Sequence, residues 1–136
     1  MKNTTNHHSF ILKPSTISNG GVGVFALHDI AKDAYMDLFL KDFQENIKDK
    51  KDIPMELQGY CLNLPDGKIL CPKFFNRMDI GNYLNHSENP NVRYEKDQGY
   101  FSIRDIKAGE EILANYRDLG EPIDTREEYY KGTNSV

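Results

Sequence analysis

The stretch Asn82-Tyr83-Leu84-Asn85-His86-Ser87-Glu88-Asn89-Pro90-Asn91 gathers four asparagines, a histidine and a serine. Such side chains bond to nearby backbone and favour irregular structure over regular helix or sheet. Read alone, it is an Asx-rich loop, and His86 by itself is no ligand candidate. A second feature is Gly21-Val22-Gly23, a glycine turn that runs straight into the apolar Val24-Phe25-Ala26. Without a Cβ in the way, its amides and carbonyls can approach a ligand closely. It is not a dinucleotide fingerprint, because the third glycine is missing and a strand, not a helix, is expected to follow. The chain has no phosphate-binding Gly-Lys-Ser/Thr either. A third feature, Gly109-Glu110-Glu111-Ile112-Leu113-Ala114-Asn115-Tyr116, reads as a turn and a strand that ends on a phenol.

The elements that must position these residues are short and β-rich. Phe10-Ile11-Leu12 is an apolar run halted by Pro14, and the polar Ser15 to Asn19 follows. Leu27 to Met36 and Ile103 to Ile112 share one plan: strand, Asp-Ile, tight corner, second strand. Asp33 in one copy takes the place of Gly109 in the other, and both types tolerate the positive φ such a corner needs. Tyr60 to Leu64 and Lys68 to Leu70 form two strands about Pro65-Asp66-Gly67, a good turn sequence. Val92 to Tyr94 and Tyr100 to Ile103 form a hairpin about Asp97-Gln98-Gly99. Phe74 to Asn85 suits a short helix, and Lys48 to Asp52 reads as a solvated charge run. Many short strands, frequent turns and little helix indicate a compact, mainly β domain.

Composition narrows the function classes. At 136 residues the chain suits one domain. A net charge of −4 argues against nucleic acid as a direct partner, because phosphate binding needs a basic face. An acidic surface attracts basic partners instead. No apolar run approaches the ~20 residues of a bilayer crossing, so no membrane partner is expected. The polar N-terminus lacks the apolar centre of a signal peptide. A cytoplasmic location follows as the expectation, with nuclear entry or delivery to a host by another route left open. The two cysteines, Cys61 and Cys71, cannot complete a Cys-rich zinc site, and no metal is expected. They bracket the hairpin and read as a cross-strand pair of buried thiols. His7 and His8 fall in an end expected to fray.

Taken together and in this order, the three features resemble the signature of the SET-domain family. The most specific parts are Asn85-His86-Ser87-x-x-Pro90-Asn91 and, about twenty-five residues on, Gly109-Glu110-Glu111-Ile112-x-x-Asn115-Tyr116. The layout resembles the small viral and bacterial stand-alone members. The resemblance implies a fold of small curved β-sheets with short helices, in which the C-terminal segment is threaded in a knot-like way past Asn85-His86. It implies a flexible segment 1–8, a SET domain over 9–119 with a variable insert at 41–79, and a C-terminal tail over 120–136.

The implied activity is transfer of a methyl group from S-adenosylmethionine to the side-chain amine of lysine in a protein, leaving S-adenosylhomocysteine. Tyr116 takes the place of the catalytic tyrosine. Gly21, Val22, Gly23, Asn85 and His86 take the places of cofactor-binding residues, with His86 acting mainly through its backbone and its side chain tied into the core. Tyr60, Tyr83, Tyr94 and the small Ala114 are the candidates for the substrate lysine channel. Glu110 and Glu111 are expected to be structural rather than acid/base groups. The partner implied is a protein or peptide with an exposed lysine, a basic protein being favoured by charge, and a homodimer is compatible with the sequence. The contrasting reading is a catalytically inactive module that keeps the fold and binds peptides or proteins. Retention of Tyr116 and the glycine turn favours the enzyme.

Departures from the family pattern bear on the substrate. Asn82-Tyr83 stand where many relatives have Arg-Phe, and Arg117 follows Tyr116 where relatives often have Gly. Segment 120–136 has no cysteine, so it is a post-SET-like tail without the zinc-bound lid of many relatives. Tyr129 and Tyr130, a partner subunit or the substrate are the candidates to cover the site.

Overall fold

The computed structural model describes residues 7–18, 20–39, 46–72, 74–96 and 98–119. Among the described residues three small sheets make up the fold. The largest runs β1 (Phe10–Pro14), β2 (Val22–Ala26), β10 (Glu111–Ala114), β7 (Asn85–His86). The second orders β3 (Tyr35–Met36), β9 (Gly99–Ser102) and β8 (Val92–Glu95), and the third β4 (Asn46–Asp49), β6 (Lys68–Cys71) and β5 (Leu62–Asn63). A single turn of helix, α1 (Met55–Gln58), precedes β5. The mainly β architecture expected from the sequence is the one observed. None of the described helices is long and apolar enough to cross a membrane.

Val24, Ala26, Ile30, Met36, Leu38, Val92, Ile106 and Ile112 are among the residues that fill the main core, which draws on strands of the first two sheets. Two similar corners lock its centre. Ile30 and Ile106 face each other in an antiparallel bridge, each N–H donating to the other's carbonyl at 2.8 Å. The Ala108 N–H donates to the Asp29 carboxylate and the Lys32 N–H to the Asp105 carboxylate, both at 2.9 Å. Asp33 (φ 64°) and Gly109 (φ 92°) turn the chain at matching places. The repeat seen in the sequence is therefore a pair of corners that complete one another's hydrogen bonds.

The third sheet lies within the described part of the 41–79 insert, which packs its own small core of Cys61, Ile69 and Cys71 against Ile53 and Phe75. Its hairpin turns at Asp66 (φ 64°) and Gly67 (φ 71°), and both thiols are free and buried.

Two local expectations are corrected. The stretch 74–85 forms no regular helix, only a 3-10 turn at Ile80–Tyr83. Asp79 and Asn82 cap that turn reciprocally, and the Gly81 N–H is drawn to the Leu38 carbonyl at 3.0 Å. Docking of this segment on a neighbouring strand end outweighs its helical propensity. The charge run is also more ordered than expected, because Lys48 and Asp49 belong to β4, paired to Ile69 and Lys68. A sheet with one face in water accepts such residues. At the N-terminal side, His8 lies with its ring 5.3 Å from that of the buried His28. Residues 1–6 and the tail 120–136, with Tyr129 and Tyr130, lie outside the described residues.

Candidate active site

The site forms where β7 lies parallel to β10, Leu113 opposite Asn85 and Ala114 opposite His86. This pairing sets the Asn-rich loop against the C-terminal strand, as the expected threading requires. Asparagine side chains complete the join. Asn91 Nδ2 donates to the Glu111 carbonyl and its Oδ1 accepts from the Leu113 N–H, both at 2.8 Å. Asn91 is buried and thus replaces a strand partner. Beyond β10, the Tyr116 N–H donates to His86 Nδ1 at 3.0 Å, and the Tyr116 hydroxyl donates to the Leu84 carbonyl. The two rings stand edge to face, 5.2 Å apart. His86 is fully enclosed, so its side chain is indeed tied into the core.

Side chains alternate along β10, so Glu111 and Ala114 point to different sides. On the Glu111 side lie the glycine turn and Asn85. The Asn85 amide nitrogen reaches the Val22 carbonyl and Ser15 Oγ at 3.0 Å and Glu111 Oε2 at 3.2 Å. Gly21 takes φ +66°, and a Cβ built on it meets nothing within 4 Å. A Cβ at Gly23 would fall 2.2 Å from Glu111 Oε2, so only glycine lets the carboxylate in. All three glycine-turn residues and Asn85 are thus brought together, with bare backbone beside an amide.

On the Ala114 side opens a cleft of about 570 Å³. Tyr60, Tyr94, Ala114 and Tyr116 line it, as do the buried Tyr100 and Cys61. Gly21 to Gly23, Asn85 and His86 are not on its wall. Tyr83 stands beside the cleft without lining it. It packs against the main core and meets Tyr60 edge to face at 5.6 Å. Tyr100, which sequence reasoning missed, stacks on Phe39 at 5.9 Å and tilts against Tyr94 at 5.2 Å. Burial, with the neighbouring Tyr94 and Asp118 adding to it, pushes the Tyr100 phenol far up, so it stays neutral. Tyr100 and Ser102 are the buried face of β9, an alternation that the adjacent aromatics Tyr100 and Phe101 do not display in the sequence. Among the described residues no three His, Cys, Asp or Glu side chains are grouped to hold a metal.

A family model, the SET domain, matches residues 21–117, which is most of the chain. Comparison with curated proteins returns no match. Among solved structures, the chain is similar to a humanized mutant of the Chaetomium thermophilum Polycomb Repressive Complex 2 bound to an inhibitor. The two are 20% identical with a TM-score of 0.55, over 82% of this chain and 15% of that one. At such identity the likeness is one of fold, and this chain spans a small part of that protein's length. The matched segment begins at the glycine turn and ends just past Tyr116, so the chain belongs to the SET-domain family.

Proposed function

We propose that the protein transfers a methyl group from S-adenosylmethionine to the side-chain amine of a lysine in a protein substrate. Members of the family are generally protein lysine methyltransferases. The observation that carries the reading for this chain is the junction at Tyr116. Its hydroxyl meets the Leu84 carbonyl on the wall of an aromatic cleft, while its N–H is bound to His86.

The residues present fit the methyl donor. Gly21 and Gly23 offer backbone without side chains, and the nearly buried Asn85 fixes an amide beside them. When bound there, the sulfonium supplies an electrophilic methyl group. The chain's own task is then to deliver a neutral amine in line with it. A lysine of pKa ~10.4 is neutral on the order of one time in a thousand near pH 7, a cost of ~4–5 kcal/mol. The aromatic cleft opposes the charged form and lowers that cost. The proton can leave to water, so Glu110 and Glu111 are not needed as bases. Tyr116 has its own proton engaged by Leu84, which leaves its oxygen lone pairs to orient the amine N–H groups. Tyr94, Tyr60 and Tyr100 present flat faces to the lysine stem. A net charge of −4 favours a basic protein as substrate.

Incubation with labelled S-adenosylmethionine and a panel of basic proteins, with the label mapped by mass spectrometry, tests the reading. Methyl groups are expected on lysine side chains. Absence of both donor binding and label on every protein would contradict it.

A further inference from the structure

We propose that Glu111 is the positioning residue of the cofactor wall, holding Ser15, Thr16 and, through Ser15, Gly21 in register with Asn85. The proposal rests on the reading of Gly21 to Gly23 and Asn85 as the cofactor-binding wall, and assigns a residue to keep that wall in shape.

Glu111 is 6% exposed, and its side chain fills the space left by the missing Cβ of Gly23. Its carboxylate accepts from the Ser15 hydroxyl at 2.7 Å, the Thr16 N–H at 2.8 Å and the Thr16 hydroxyl at 2.6 Å. A fourth bond comes from the Asn85 amide at 3.2 Å. Ser15 and Thr16 are some 95 positions away in sequence, so no local preference brings them here. Among the described residues no basic side chain pairs with this carboxylate.

The loop depends on these bonds. The Ser15 N–H donates to the Gly21 carbonyl at 2.7 Å, and Ser15 Oγ accepts from the Ile17 N–H at 3.0 Å. Displacing Ser15 therefore displaces Gly21, the first residue of the wall. All four partners of Glu111 are donors, and only a group that accepts at both ends can serve them. Glutamine keeps the shape but turns an NH₂ toward a donor. The effect belongs on the cofactor side of β10, because the cleft wall at Ala114 points the other way.

The test is calorimetric titration of the full chain with S-adenosylhomocysteine, comparing wild type, Glu111→Gln, Thr16→Val and the double variant. KM for S-adenosylmethionine and kcat are measured beside it. Glu111→Gln is expected to weaken binding by about tenfold or more and Thr16→Val by about threefold. The double variant should bind no worse than Glu111→Gln alone, and KM should rise by a larger factor than kcat falls. Wild-type affinity in Glu111→Gln, or strictly additive losses in the double variant, would overturn the proposal. If Glu111→Gln does not fold, the exposed Thr16→Val decides, and unchanged affinity there overturns it. A wild type that binds neither nucleoside would instead remove the cofactor assignment, and this proposal with it.

Discussion

The backbone N–H of Tyr116 donates to Nδ1 of His86 at 3.0 Å, across thirty positions of sequence. This bond joins the two motifs that carry the site. It requires an unprotonated Nδ1, so the neutral ring carries its proton on Nε2, which faces Glu88 Oε1 at 3.6 Å. His86 is thereby a post for the backbone that presents Tyr116. Beside it Asn85 serves the glycine turn, one residue to each side of the strand pair.

Gly23→Ala should be the most damaging small change in the glycine turn. The added methyl would lie 2.2 Å from Glu111 Oε2, and a buried carboxylate with four partners has little room to yield. Overpacking of this kind costs about 1–3 kcal/mol. Thermal unfolding should show a clear drop in Tm, with cofactor binding reduced as well. Gly21→Ala meets open space but keeps the strain of positive φ, so a smaller loss is expected there. Equal stability of wild type and Gly23→Ala would contradict the packing described.

The corner at Asp29 predicts a pH dependence. The Ala108 N–H bond is the main cause that holds this exposed carboxyl below its ordinary value. A folded-state pKa below the unfolded one means stability that is present above about pH 4 and lost as pH falls further. Asp29→Asn should therefore lower Tm at neutral pH, and the deficit should narrow in acid. A deficit that stays constant down to strong acid would count against the bond.

Cys61 and Cys71 should resist modification in the folded protein. Burial pushes both thiols up, and the adjacent Cys71 adds to the effect on Cys61. Since the thiolate is the nucleophile, iodoacetamide near pH 8 should react slowly with native protein and quickly after unfolding. Intact-mass measurement over time follows the adducts. Comparable rates in both states would show the pair to be open.

How much was legible follows from the range of each interaction. Asn85, His86 and Tyr116 stood out because their motifs are contiguous and specific, and the structure joins them. The matching corners are legible because each is a local turn, whereas the pairing of Ile30 with Ile106 depends on how the two corners dock. Ser15 and Thr16 read in sequence as part of a polar run, because their partner Glu111 lies some 95 positions away. Tyr100 reads in sequence as a hairpin residue, and its place in the cleft depends on how β9 packs between β3 and β8. Tyr83, an aromatic beside the Asn-rich loop, packs against the core and touches the cleft-lining Tyr60, a placement that only the tertiary packing decides.

The most direct test of the account is the rate of methyl transfer by Tyr116→Phe against wild type, with S-adenosylhomocysteine affinity measured on both. Phenylalanine keeps the ring against His86 and removes the hydroxyl that meets Leu84. Loss of one preorganised polar group at the reacting centre costs about 10²–10³ in rate. The account predicts a fall of that order with affinity nearly unchanged. Wild-type rates in Tyr116→Phe would contradict it.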